Sequence, residues 1–215
     1  MILLCPPGVY KAQSDTHLLA GRVAQLAHGR HVLDLGTGTG ALALTGARAG
    51  AQSVTAVDLS RRCVATTRLN FLLHRRPVRV HRGDLYEPVR GRRFGLIVAN
   101  PPYVPSETSV LPRHTRGRSW DAGPTGRAIL DRICDGAPEH LEDDGTLLLV
   151  HSAVCGPERT LERLAAAGLA ADVVDRARIP FGPVMRSRAQ LLERSGLIEP
   201  GEHLEELVVV EARRG

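Results

Sequence analysis

The 215-residue chain predicts an α/β fold: a seven-stranded, mostly parallel sheet with helices on both faces and an antiparallel last strand. Three observations carry that expectation. Short apolar runs alternate with longer segments of helical periodicity along most of the chain. A glycine-rich turn, residues 36–40, joins the first apolar run to the helical segment behind it. A second apolar run, residues 96–99, is too short for a helix and ends in Asn100-Pro101-Pro102-Tyr103, where a parallel sheet would present its carboxyl edge. Ligands of open α/β sheets bind along that edge.

The elements follow in order. Residues 1–13 hold Pro6, Pro7 and Gly8 and read as an extended lead-in. Ser14 and Asp15 are candidate N-caps for a helix over 16–27, which Gly29 closes; together 1–29 form the lead-in and first helix. HVLDL, residues 31–35, reads as the first strand, with a helix over 41–49 after the glycine turn. Glycines allow positive φ and close backbone approach, and the helix start behind them offers free N–H groups, so a nucleoside-bearing cofactor fits. The spacing also matches a dinucleotide fingerprint if Ala41 stands for its third glycine. Asp34, placed to meet a charged amino acid portion, and the alternation of Gly36, Gly38 and Gly40 favour S-adenosylmethionine instead.

The second strand, 53–57, ends at Asp58, 22 residues past Gly36, where a carboxylate can accept both ribose hydroxyls of either cofactor. Asp58-Leu59-Ser60 can also cap the helix over 61–73. A brief third strand, 78–80, precedes Gly83-Asp84-Leu85: Asp84 can accept from an adenine amino group while Leu85 covers the ring, or the three can form a plain surface turn. Arg79, His81 and Arg82 suggest charge protection of a sheet edge. The fourth strand delivers Asn100. Residues 104–119 lack periodicity and carry Arg113, Arg116 and Arg118, which reads as a flexible flap facing the substrate. Helices over 127–140 and 157–167, strands over 146–150, 170–177 and 205–212, and a short helix within 180–200 complete a single domain spanning 1–215.

Pro101 and Pro102 fix their own φ and push the residue before each into extended geometry, so the corner after the fourth strand is stiff. The Asn100 amide oxygen and the Pro101 carbonyl can accept two hydrogen bonds from a planar NH2 group, and the Tyr103 ring can stack on it.

Composition excludes several classes. No run of about 18 apolar residues occurs, and MILLCPPG is too short and uncharged for a signal peptide, so a cytoplasmic protein off the membrane is expected. Cys5, Cys63, Cys134 and Cys155 are widely spaced, with no C-x-x-C, arguing against zinc or a disulfide framework. The net charge of +5 and the arginines at 75–76, 90–93 and 113–118 admit nucleic acid as a partner. Against it, Lys11 is the only lysine beside 27 arginines, a bias of composition, and seven aromatic residues provide few stacking platforms.

The glycine turn, Asp58, Asp84-Leu85 and Asn100-Pro101-Pro102-Tyr103, in this order along one sheet, resemble class I S-adenosylmethionine-dependent methyltransferases, specifically the release-factor glutamine methyltransferase family. VYKAQSDTHLLA, residues 9–20, is similar to the N-terminal motif of its short branch, which lacks an N-terminal helical domain, and WDAGPTGRAILDR, residues 120–132, resembles the Gly-rich segment after the flap. The branch usually has an acidic residue where Ser14 stands and an aromatic where His17 stands.

The resemblance implies a Rossmann-like sheet that binds S-adenosyl-L-methionine, with S-adenosyl-L-homocysteine as product. Thr16, Asp34, Gly36, Thr37, Gly38, Thr39, Gly40, Asp58, Leu59, Asp84, Leu85 and Asn100 are then the cofactor residues. Asn100 and Pro101 are the catalytic pair, and Asn100, Pro101, Pro102 and Tyr103 bind the acceptor. The implied acceptor is the glutamine of the Gly-Gly-Gln motif of a peptide chain release factor, with a small activating subunit as a further partner. Two other acceptors offer NH2 to the same corner: the adenine amino group of DNA or RNA, and a small-molecule amine or amide. A catalytically idle S-adenosylmethionine-binding subunit is the reading of a different class.

Overall fold

The computed structural model describes residues 1–107 and 120–214. Most of the predicted flap, with its three arginines, lies outside the described residues. The elements run α1 (Ser14–Leu26), β1 (His31–Leu35), α2 (Ala41–Arg48), β2 (Ser53–Asp58), α3 (Arg61–Leu73), β3 (Arg79–Arg82), β4 (Phe94–Ala99), α4 (Leu130–His140), β5 (Leu141–Ser152), α5 (Pro157–Ala166), β6 (Leu169–Pro180), α6 (Pro183–Arg194) and β7 (Leu204–Arg214). One seven-stranded sheet has the order β3-β2-β1-β4-β5-β7-β6, with β7 antiparallel to both neighbours. The Rossmann-like sheet with an antiparallel last strand is therefore present as expected.

Alternation along β1 sorts the two layers. Leu33 and Leu35 join Ile97, Ala99, Leu147 and Leu149 in a core beneath α4 and α5, which add Ile133, Cys134, Ala137 and Leu164. Val32 faces the opposite way with Val54, Ala56, Leu96 and Val98, against α1, α2 and α3 through Leu19, Val23, Leu44 and Phe71. Successive side chains of a strand point to opposite faces, so strands covered on both sides are apolar throughout; every residue of β4 is buried. A smaller cluster of Val104, Phe181, Met185, Leu192 and Ile198 seats α6 beside the end of the Asn100 corner.

Several elements differ from the sequence expectation: β5 and β6 extend well beyond the expected 146–150 and 170–177. β3 covers 79–82 and not 78–80, because at the sheet edge His81 and Arg82 keep the ladder with β2, with Arg82 exposed and His81 half-buried. Helix α4 starts at Leu130; the turn before it buries Arg127, whose Nη1 donates to Cys155 O at 2.7 Å and Thr160 Oγ1 at 3.0 Å. Neither Ser14 nor Asp15 caps α1: Gln13 holds the N-cap position without a side-chain bond, and Asp15 sits in the first turn, buried.

The first part of the Gly-rich segment 120–132 runs beside the corner. Val104 N donates to Trp120 O at 2.8 Å, Ala122 N to Val104 O at 3.1 Å, and Ser106 N to Gly123 O at 3.0 Å. Gly126 comes closest: it has φ +70°, and a Cβ there would stand 2.3 Å from the Tyr103 carbonyl oxygen. Gly123 has φ +76°, but its nearest neighbour would be a side-chain carbon at 3.7 Å. Both substitutions to alanine carry the left-handed penalty of about 1–2 kcal/mol, and only Gly126→Ala adds a clash with backbone. Gly126→Ala should lower the melting temperature by roughly 5 °C or more and Gly123→Ala by about half of that. Equal shifts in a thermal melt would show that the contact with Tyr103 carries no strain.

Candidate active site

Parallel pairing levels the strand ends that build the site. Leu35 lies opposite Val57 on one side and Ala99 on the other, and Asp58 lies opposite Arg82. The segments after β1, β2, β3 and β4 therefore leave the sheet side by side, around an open cleft of about 1590 Å³. Thr16, Asp34, Gly36, Thr37, Gly38, Thr39, Asp58, Leu59, Asp84, Leu85, Asn100, Pro101, Pro102 and Tyr103 all line it. Gly40 does not: at φ +84° it forms the N-cap of α2, and a Cβ there would meet the Thr67 side chain at 2.9 Å. Its place in the glycine turn comes from packing against α3.

Asp34 stands at the floor of the cleft. Its Oδ2 accepts from Thr37 Oγ1 at 2.6 Å and from Ala43 N at 3.0 Å, while buried Oδ1 has no partner among the described residues. Burial pushes this carboxyl up to about 6, against the pull of Thr37 and Ala43. A Cβ on Gly36 would meet nothing within 4 Å, and on Gly38 only backbone oxygens at 3.9 Å or beyond, so the turn stands clear of the protein on its ligand side. An unpartnered buried acceptor beside an open glycine turn fits the ammonium and nucleoside portions of S-adenosylmethionine. Asp58 rims the turn, accepting from Gly38 N at 2.9 Å and Ser60 N at 2.8 Å. Ser60 also caps α3, its side chain accepting from Cys63 N, so the capping role read at 58–60 is present. Asp84 is half exposed and ion-pairs with Arg132 of α4 at 2.8 Å; Leu85 beside it holds φ +48°, unusual for a side chain of that size.

At the corner, Asn100 Nδ2 donates to Thr16 Oγ1 at 3.0 Å, leaving Oδ1 as the acceptor of that carboxamide. Pro101 is buried, and, two residues on, the Cys155 thiol donates to Tyr103 O at 3.1 Å. Burial pushes the Cys155 thiol up to about 12, so it stays protonated. Beyond the corner, Arg188 of α6 donates to Pro105 O at 2.8 Å and ion-pairs with Asp121, tying together the chain on both sides of the 108–119 segment.

Three site residues escaped the sequence reading. Asp15 accepts from Tyr10 OH at 2.7 Å and Tyr103 OH at 3.2 Å. Arg132 could have been found only as the partner of Asp84, across 48 residues. Glu205, at the start of β7, lines the same cleft although only 5% exposed, and its Oε1 has no partner among the described residues. Burial pushes its carboxyl up to about 7, helped by the charge of Asp15 and opposed by Ser152. Among the described residues no cluster of His, Cys, Asp and Glu could hold a metal ion, and no helix is long and apolar enough to cross a membrane.

The Glu205 shift has a definite sign. Between about 4.5, its unfolded value, and about 7, the folded state holds a proton that the unfolded state releases, so stability falls as pH rises through that window. Glu205→Gln removes the penalty. It should melt higher than the parent near pH 8, by the equivalent of up to about 3 kcal/mol, and lose the advantage near pH 5. A pH-independent difference in melting temperature would refute this.

Comparison with known proteins places this geometry. The profile of the methyltransferase small domain family matches residues 1–113, more than half of the chain. A Methanocaldococcus jannaschii protein, provisionally named a protein N5-glutamine methyltransferase, is 29% identical over 179 residues, covering 83% of this chain and 90% of that protein. The release factor glutamine methyltransferase of Bordetella pertussis is 37% identical over 155 residues, covering 67% of this chain; the chain spans 57% of that relative's length. Among solved structures, the E. cuniculi Mtq2–Trm112 complex, responsible for methylation of the eRF1 translation termination factor, superposes with a TM-score of 0.68 at 22% identity, over 97% of this chain and 99% of that one. That likeness shows a shared fold. With the fold, the cleft and the family profile in agreement, the chain belongs to the methyltransferase small domain family.

Proposed function

We propose that the protein transfers a methyl group from S-adenosyl-L-methionine to a planar NH2 nitrogen, and that the acceptor is the glutamine side-chain amide of the Gly-Gly-Gln motif of a peptide chain release factor. The observation that carries the reaction type is the Asn100 corner: its Nδ2 is engaged by Thr16, so the side chain offers an oxygen, next to the carbonyl of a buried proline. Two fixed acceptors suit the two hydrogens of one NH2 group. The choice of acceptor draws on the relatives, whose names assign them glutamine methylation.

The cofactor would be held by Asp34 at its ammonium, by Gly36, Thr37, Gly38 and Thr39, by Asp58 and Leu59 at the ribose and by Asp84 and Leu85 at the adenine, with Thr16 and Asn100 on the same wall of the cleft. When bound, it supplies a methyl group already activated on a sulfonium. An amide nitrogen is a poor nucleophile because its lone pair is delocalised into the carbonyl. Asn100 Oδ1 and Pro101 O counter this by accepting a hydrogen bond from each N–H, which raises density on nitrogen and aims it along one line; as the N–CH3 bond forms and the donor's S–CH3 bond breaks, the nitrogen becomes acidic and one of its two protons is lost to solvent. Pro102 and Tyr103 cover the carboxamide and exclude water. Orientation of this kind supplies up to about 7–11 kcal/mol in well-ordered reactions. A small activating partner belongs to the same proposal, by analogy with the Mtq2–Trm112 pair.

The test supplies methyl-labelled S-adenosylmethionine together with release factor, release factor whose Gly-Gly-Gln glutamine is replaced, or nucleic acid. Label is expected in the intact release factor alone; label in nucleic acid alone would overturn the acceptor in favour of an adenine amino group. Asn100→Ala should lower kcat by about a hundredfold or more while cofactor affinity in calorimetry stays within about threefold. Undiminished turnover would remove Asn100 from the reaction.

A further inference from the structure

The Asn100 carboxamide can be turned either way about its last bond, presenting oxygen or NH2 to the cleft, and the two orientations select opposite substrates. We propose that Asp15, acting through the Thr16 hydroxyl, sets this orientation, and so makes the corner select an acceptor that donates two N–H bonds. The inference rests on the reading in which Asn100 receives those hydrogens, and it assigns the residues that make it able to.

Four hydrogen bonds carry the argument. Thr16 Oγ1 lies 3.2 Å from Asp15 Oδ1, and Thr16 N donates to the same oxygen at 2.6 Å. A carboxylate accepts and does not donate, so the Thr16 hydroxyl proton points at Asp15. The hydroxyl then has only lone pairs left for Asn100, which meets it with Nδ2 at 3.0 Å. Turning the carboxamide over would set its oxygen against that hydroxyl oxygen with no proton between them. The other Asp15 oxygen accepts from Tyr103 OH at 3.2 Å, so one buried carboxylate orients the amide and ties the ring at the far end of the same tetrapeptide. Asp15 and Thr16 are buried together in the first turn of α1, where side-chain freedom is low and the bonds between them are shielded at the wall of the cleft. Neither touches the reacting atoms in this role; both are positioning residues.

The chain contains two asparagines, Asn70 and Asn100, which makes the orientation directly observable. Protein labelled with 15N-asparagine shows two side-chain NH2 groups. That of Asn70, which bonds Leu4 O and Thr39 O, serves as an internal control. Thr16→Val should move the Asn100 signals and speed their exchange with solvent, leave Asn70 unchanged, and lower kcat by about a hundredfold, a loss much larger than any change in cofactor affinity. Thr16→Ser restores the hydroxyl and should return both the signals and most of the kcat. Asp15→Ala should reproduce the Asn100 change and also alter the Tyr103 ring signals. Unmoved Asn100 signals in Thr16→Val would overturn the proposal, as would a loss confined to cofactor affinity. If the wild-type protein methylates no offered acceptor, the proposed function fails, while the NMR comparison still decides whether Asp15 and Thr16 orient the amide.

Discussion

The level, parallel pairing of β1 with β4 is the constraint on which the rest of the site depends. Leu35 opposite Ala99 brings the glycine turn and Asn100 off the sheet at the same height, one strand apart. A slip of one residue would turn the shifted strand's side chains to the other face and offset the two segments. The register is secured by burial, because β1 and β4 are central strands packed on both sides, and any shift would exchange Leu33 and Leu35 with Val32 and Asp34 across two different cores. Asp34 is the exception along β1: the residue that breaks the apolar pattern is the one that keeps an unpartnered oxygen at the cleft floor.

The Asn100 corner is stiffened from several directions at once. Two prolines restrict its backbone, Gly126 packs against the Tyr103 carbonyl, Cys155 donates to the same oxygen, and Asp15 ties the Tyr103 phenol. Burial pushes the phenol's acidity well below its usual strength, and the Asp15 charge adds to that, so Tyr103 remains a donor. A rigid corner suits a reaction in which orientation carries much of the barrier. Arg188 donates to Pro105 O and ion-pairs with Asp121, joining the described chain on either side of residues 108–119.

The residues read best from sequence were those whose local pattern carries its own physics. The glycine turn needs positive φ at Gly36 and Gly38, and Pro101 and Pro102 declare an extended corner whatever surrounds them. Strands such as β4 stand out because both faces are covered. Asp15 was misread for the same reason in reverse: an acidic residue just ahead of an apolar stripe has the local form of a cap, and nothing within a turn of it reveals Tyr103, 88 residues away. Glu205 begins a strand beside other acidic residues and looks like an exposed edge position, whereas the fold buries it at the cleft.

By itself, then, the amino-acid order determined the element types, the position of the turn and the corner, and the residue kinds available to hold a methyl donor and an NH2 group. These follow from periodicity, φ restriction and donor–acceptor inventory, all of which act over a few residues. The tertiary structure alone decided which of those groups meet. Asn100 reaches Thr16, Asp84 reaches Arg132, and Gly126 lies against Tyr103, because strand order and helix packing bring distant segments within hydrogen-bond range. Hydrogen bonds extend about 3 Å, and no pattern in the chain reports which remote atoms the folded sheet places at that distance.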